Sequence, residues 1–192
     1  MNIGIFGGTF NPPHLGHLIV IENVRDQLNF DKILFIPSAN PPHKNDPSLA
    51  QASSRLAMVQ LAIRDRKEFE VSDIEVARGG TSYSIDTINA LSGLFPGAHL
   101  SLIIGVDNLM EFGSWKSPHD ILAKADLIVM SRSGFSFNDA KNEFARSAQF
   151  VNVPVIGISG TDIRRRVKLG RSIHYLVPPS VEEYIRRSGL YK

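Results

Sequence analysis

Cysteine is absent from the 192 residues. That excludes disulfides, thiolate-bound zinc, iron–sulfur clusters and a thiol nucleophile. Long apolar runs are absent too. None approaches the roughly 18 residues of a membrane helix, so no membrane partner is expected. The opening MNIGIFGG has neither a basic start nor a small-residue cleavage site, and a cytoplasmic location is the expectation. Charge of one sign is scarce. Lys and Arg number 21 against 19 Asp and Glu, a net of +2. Such a balance does not build a nucleic-acid groove, so no nucleic-acid partner is expected. The surplus is uneven: residues 152–192 hold eight basic and three acidic side chains, which suits a phosphate-rich ligand. Internal repeats and low-complexity tracts are also missing.

What is present is the composition of a folded globular chain, 43% hydrophobic and 21% charged. The length fits one domain over 1–192, with a small C-terminal helical part at about 159–192. Short apolar runs at 2–6, 32–36, 99–104 and 125–130 read as buried strands, each stopped by glycine, proline or polar residues. Residues 69–76 are expected to be extended and 153–158 to form a short strand. Helical spacing marks 15–28, 49–64, 84–94, 162–169 and 179–187, with short helical pieces over 106–123. Residues 138–149 read as a polar helix. Strands alternating with helices predict an α/β fold: an open, mostly parallel sheet with helices on both faces.

The segment GIFGGTFNPPHLGHL, residues 4–18, joins the first strand to the first helix. Ligands of open α/β sheets sit beyond the C-terminal strand ends. Gly7 and Gly8 permit a tight turn and a close approach of backbone to ligand. The following helix start offers free N–H groups to a phosphate. The spacing is neither that of a dinucleotide-binding glycine fingerprint nor that of a P-loop. His14 and His17, three apart, share one helix face. A metal site would need a third ligand, and no Cys or His-rich segment stands nearby. Acid–base chemistry, phosphate binding by imidazole donors and a plain polar helix start remain open for the pair.

GGTFNPPHLGH resembles the signature of the nucleotidyltransferase superfamily, whose core is HxGH, here His14-Leu15-Gly16-His17. GISGTDIRRRV resembles the second signature of that superfamily, ISxTxxR, with Ser159, Thr161 and Arg164. Within the superfamily the chain is similar to the bacterial-type nicotinate-nucleotide adenylyltransferases. That match rests on Pro41-Pro42-His43-Lys44, Gly80–Thr87, Gly105-Val106-Asp107, Trp115 and His174-Tyr175-Leu176-Val177-Pro178. The resemblance covers essentially the whole chain. Asn11 stands where the family usually has Asp, and Gly160 where it usually has Ser or Ala. The first change is expected to be mild. The second is expected to add backbone freedom and remove a hydroxyl near phosphate.

The resemblance implies a Rossmann-like nucleotidyltransferase fold and transfer of the adenylyl group of ATP to nicotinic acid mononucleotide, releasing pyrophosphate. The attacking phosphate is already ionised at neutral pH, so alignment and charge stabilisation matter more than a base. His14, His17 and Arg164 are the implied catalytic residues, with Arg164 on the β- and γ-phosphates. Gly7, Gly8, Thr9, Phe10, Lys44, Gly105, Asp107, Ser159 and Thr161 would serve ATP, Thr9 and Phe10 through their backbone N–H groups. Thr81, Ser82, Tyr83, Ser84 and Trp115 would hold the pyridine mononucleotide. Arg165, Arg166 and Lys168 read as a solvated face. Magnesium would ride on the phosphates and water, with no metal site made by the protein. Monomer and homo-oligomer both fit. The rival readings are an enzyme acting on nicotinamide mononucleotide or phosphopantetheine, and a non-catalytic nucleotide-binding module.

Overall fold

The computed structural model describes residues 1–40, 48–131 and 143–192. Among the described residues, six parallel strands form one sheet: β1 (Asn2–Gly8), β2 (Lys32–Pro37), β3 (Phe69–Val71), β4 (His99–Gly105), β5 (Asp126–Ser131) and β6 (Ala148–Asn152). Their order is β3-β2-β1-β4-β5-β6. The chain winds outward from β1 in one direction and from β4 in the other. The order therefore reverses between these two strands, where a doubly wound sheet opens a crevice at its C-terminal edge.

Alternation along the strands explains the two covered faces. Ile3, Ile5, Leu34, Ile36, Leu102, Ile104, Leu127 and Val129 face one core. The helices α4 (Ser84–Leu94), α5 (Val106–Glu111) and α6 (Pro118–Leu122) cover it, through side chains such as Ile88, Leu109 and Ile121. The intervening residues Ile33, Phe35, Ile103 and Ile128 face the second core, under α1 (Leu15–Leu28) and α2 (Ala52–Ile63). A third cluster joins Met58 of α2 to Ile163 of α7 (Gly160–Lys168) and to Val181 and Ile185 of α8 (Pro179–Arg187). The C-terminal helices are thus packed on the far side of α2. No helix among the described residues is long and apolar enough to cross a membrane.

Three segments differ from the sequence expectation. Residues 69–76 are extended only over Phe69–Val71, and a short helix α3 (Ile74–Arg78) follows. Its Glu75 is buried and accepts a hydrogen bond from Thr87 Oγ1 at 2.6 Å, a tertiary contact that overrides the local alternation. The last strand lies at Ala148–Asn152 and not at 153–158. Pro154 lacks a donor for the ladder, so pairing cannot continue through it. The apolar residues Ile156 and Ile158 of that stretch line a cleft instead. Of the polar helix expected over 138–149, Glu143–Ser147 is a 3-10 turn and Ala148 begins β6, while 138–142 lie outside the described residues.

Gly4 faces the second core in the middle of the sheet. A Cβ there would stand 2.6 Å from Ile33 Cδ1 and 2.7 Å from Ile103 Cδ1, closer than real side chains approach. Gly93, inside α4, has nothing within 4 Å of a built Cβ. Gly4→Ala should therefore lower stability by about 1–3 kcal/mol through overpacking. Gly93→Ala should leave it unchanged or raise it by up to about 1 kcal/mol through helix propensity. Urea unfolding of the two variants checks the contrast, and equal effects would contradict the packing assigned to β1.

Candidate active site

Two clefts open at the C-terminal edge of the sheet, on either side of its reversal point. The smaller, about 300 Å³, is lined by Gly7, Gly8, His14, His17, Gly105 and Ile156 among others. The larger, about 520 Å³, is lined by Thr9, Ser82, Tyr83, Ser84, Trp115 and Lys116 among others. Gly7, Gly8, Ile103, Ile104 and Asn108 border both. The floor shared by the clefts is thus the end of β1 and the end of β4. Both volumes are of the size that takes a nucleotide-sized ligand.

The wall of the smaller cleft is built by the turn into α1. Phe10 has a positive φ of 48°, costly for a residue with a side chain, and its ring is buried against Phe6, His17 and Phe35. Gly8 makes room for it: a Cβ at Gly8 would lie 2.9 Å from the Phe10 ring. Phe10 therefore serves the core with its side chain, which leaves only its backbone for a ligand. Ser159 caps α7, its Oγ accepting from Asp162 N at 3.2 Å.

His14 is the N-cap of α1 and is 8% exposed. Its backbone N–H donates to His17 Nδ1 at 3.2 Å, and the two rings stack at 3.7 Å. Because Nδ1 of His17 accepts, the ring proton of His17 sits on Nε2, which makes that nitrogen a donor. Burial lowers the His14 pKa to about 4, so its imidazole is neutral at pH 7. Its Nδ1 is buried without a hydrogen-bond partner.

Arg164 lies in α7 and reaches back to the turn before α1. Its Nη1 donates to Asn11 O at 2.9 Å and its Nε to Ser48 Oγ at 2.8 Å. A contact of 3.5 Å joins Nη2 to Thr161 Oγ1. Arg165 and Arg166 both pair with Asp162, on the side expected to be solvated. Gly160 owes its place to proximity: a Cβ there would lie 2.8 Å from Asn11 O, and its φ is not positive. Asn11 acts as an amide, donating from Nδ2 to Ser48 O at 3.1 Å. A carboxylate would set two acceptors face to face.

The larger cleft is lined by Ser82, Tyr83, Ser84 and Trp115 of the second group of expected residues, but not by Thr81. Ser82 is fixed by its Oγ, which accepts from Ala39 N at 2.9 Å. Tyr83 and Ser84 form the start of α4, and Trp115 packs its ring 5.3 Å from Phe112 at the cleft wall. Thr81 is exposed at the neighbouring bridge to Asn40. Asp107 is exposed in the first turn of α5, beside the cleft-lining Asn108. Lys44 lies outside the described residues. Sequence reading missed Asn108, Ile156, Lys116 and Arg55. Lys116 donates to both oxygens of Asp86 at 3.1 Å and stands 4.7 Å from the Tyr83 ring centroid. Arg55 carried a signal: it shares a helix face with Met58, Val59 and Ala62, an odd place for a charge unless buried and bonded.

A family model described as cytidylyltransferase-like matches residues 5–166. Among curated proteins, one from Dictyoglomus thermophilum is 45% identical over 195 residues, with 100% of each chain covered. One from Salinibacter ruber is 41% identical over 192 residues, covering 100% of this chain and 98% of that protein. Both carry the name probable nicotinate-nucleotide adenylyltransferase. Among solved structures, the Plasmodium falciparum nicotinic acid mononucleotide adenylyltransferase complexed with NaAD superimposes with a TM-score of 0.77 at 19% identity, over 99% of this chain and 97% of that one. That likeness extends the agreement to the fold.

His14 makes stability depend on pH. The unfolded chain binds the proton near pH 6.5, the folded chain only near pH 4. The His14 contribution is present above about pH 6.5 and is lost as pH falls toward 4, by up to about 3 kcal/mol. Urea unfolding at several pH values checks it: His14→Gln should lose less stability than the wild type across that range. Parallel curves would contradict the burial of a neutral imidazole.

Proposed function

Since the chain belongs to the cytidylyltransferase-like family and, within it, to the bacterial-type nicotinate-nucleotide adenylyltransferases, we propose that its acceptor is nicotinic acid mononucleotide. The chain is an adenylyltransferase of NAD biosynthesis. In this reading it joins the mononucleotide to ATP and forms nicotinic acid adenine dinucleotide and pyrophosphate. The observation that carries the reading is the shared floor: two nucleotide-sized clefts meet at Gly7 and Gly8, beside the start of α1.

ATP occupies the smaller cleft, its phosphates over Gly7–Thr9 and the two histidines. The mononucleotide occupies the larger cleft, its phosphate directed to the same floor. A phosphate oxygen of the acceptor attacks the α-phosphorus, and the bond to the β-phosphate oxygen breaks. His17 Nε2 donates to the transferring phosphate as charge grows there. His14, neutral, donates a hydrogen bond to the triphosphate and adds no charge. Arg164 clamps the β- and γ-oxygens, a fork that an ammonium does not copy. Magnesium carried on the triphosphate and water offsets phosphate charge when bound. The chain suits that arrangement, since around residues 7–17 it presents imidazoles and backbone donors, made for phosphate oxygens.

The pyridine ring stacks on Trp115, and its carboxylate meets the start of α4. Lys116 in this cleft is paired with Asp86, and Glu75 and Glu111 line it too, so recognition of the carboxylate falls to the N–H groups of the helix start. An amide would set its own donors against the N–H groups of the helix start, and a buried unmet donor costs roughly 1–3 kcal/mol.

Product formation with ATP, magnesium and each mononucleotide tests the acceptor. The acid should exceed the amide by at least about tenfold in kcat/KM. Equal constants, or preference for the amide, would remove the carboxylate site from residues 81–84. His17→Ala should lower kcat by about two orders of magnitude or more while ATP binding changes less. An unchanged kcat in steady-state assays would move the transition-state contact away from His17.

A further inference from the structure

Tyr191 lies 180 residues from Asn11 in the chain, yet its hydroxyl donates to Asn11 Oδ1 at 2.7 Å. The same oxygen accepts from Ala50 N at 3.1 Å, while Asn11 Nδ2 donates to Ser48 O at 3.1 Å. Asn11 O receives Arg164 Nη1 at 2.9 Å, and Ser48 Oγ receives Arg164 Nε at 2.8 Å. Asn11 is 7% exposed, so its polar atoms have little water to fall back on. Every polar atom of its side chain is taken by these bonds. The backbone of Tyr191 has a φ of 65°, a conformation that a residue with a side chain adopts only when something holds it. Its ring packs on the cluster of Met58, Ile163 and Ile185. That leaves the hydroxyl as the atom that reaches the turn before α1.

We propose that Tyr191 is a positioning residue for the triphosphate end of the active site: by fixing Asn11, its hydroxyl aims Arg164. The inference rests on the role given to Arg164 in the proposed function. The path is short and made of directed bonds. The hydroxyl orients the Asn11 amide. The amide bonds to both Ser48 and Ala50 hold the peptide of Asn11 in place. That peptide carbonyl and Ser48 Oγ then set two of the guanidinium's three nitrogens. Gly160, having no Cβ, lets α7 start close to this peptide: a Cβ there would stand 2.8 Å from Asn11 O. Burial pushes the phenol's pKa up, although Arg164 and Arg55 nearby pull it down, so the hydroxyl keeps the proton it donates.

Tyr191→Phe keeps the ring and deletes the hydroxyl. Calorimetric titration with ATP and magnesium, without acceptor, should show Kd raised about threefold to tenfold, the range for one lost hydrogen bond. In turnover, KM for ATP should rise by the same factor while KM for the acceptor stays within about twofold. In an Arg164→Lys background, whose side chain lacks the second arm, Tyr191→Phe should change Kd by less than about twofold, the mark of two residues acting as one unit. An unchanged Kd in the single variant, or the same rise in both backgrounds, would overturn the proposal. Because the titration needs no acceptor, it stays readable even if the wild type fails to use nicotinic acid mononucleotide, a failure that would count against the acceptor alone.

Discussion

The guanidinium of Arg55 holds three loops at once. It is 1% exposed and donates from Nε to Ala50 O, from Nη1 to Thr9 O and from Nη2 to Ala39 O, each at 2.9 Å. Thr9 follows β1, Ala39 follows β2, and Ala50 precedes α2. These carbonyls belong to irregular backbone at the open edge of the sheet, where no ladder satisfies them. Burial lowers the Arg55 pKa, yet a guanidinium does not lose its proton in a protein. The site therefore rests on a permanent cation beneath the loop that borders both clefts. Removing it would take a buried donor from three loop carbonyls and loosen the floor of the site.

That constraint explains how a glycine-rich turn stays fixed without a lattice of its own. Arg55 pulls the Thr9 carbonyl inward, and the Phe10 ring enters the core under Gly8. The turn is gripped from below by α2 and from the side by α7 and the segment near Tyr191. Its upper surface borders both clefts. The histidines extend this logic: one ring is buried and neutral, the other is oriented by its neighbour's backbone N–H. In the proposed reaction such an arrangement would supply donors aimed before the reactants arrive, the condition under which they act most strongly on developing charge.

Much of this was legible in the sequence. Four of the six strands could be read from apolar runs ended by breakers, because a strand covered on both faces must be apolar throughout. The glycines and histidines of the first turn could be placed at a strand end and a helix start by spacing alone. Other parts followed from contacts between distant segments. Glu75 turns helical where alternation reads as strand because Thr87, twelve residues on, takes its carboxylate. Ile156 lines a cleft, and Ile158 both lines it and packs on the third cluster; one-dimensional pattern cannot separate either from sheet burial. Gly160 reads locally as a flexible helix start, and only the proximity of Asn11 O gives it a packing reason. Asn108 carries no signature at all, since its role comes from the ends of two strands meeting beside it.

The bond between Tyr191 and Asn11 spans 180 residues, nearly the length of the sequence. Ribosomes make proteins from the N-terminus at roughly 5–20 residues per second. Asn11 and both histidines are therefore made long before their partner exists. Through that interval the sheet and its first helices are free to assemble, but the turn that borders both clefts lacks its last clamp. A nascent chain still short of Tyr191 therefore holds an unfinished turn, whatever part of its sheet has already formed.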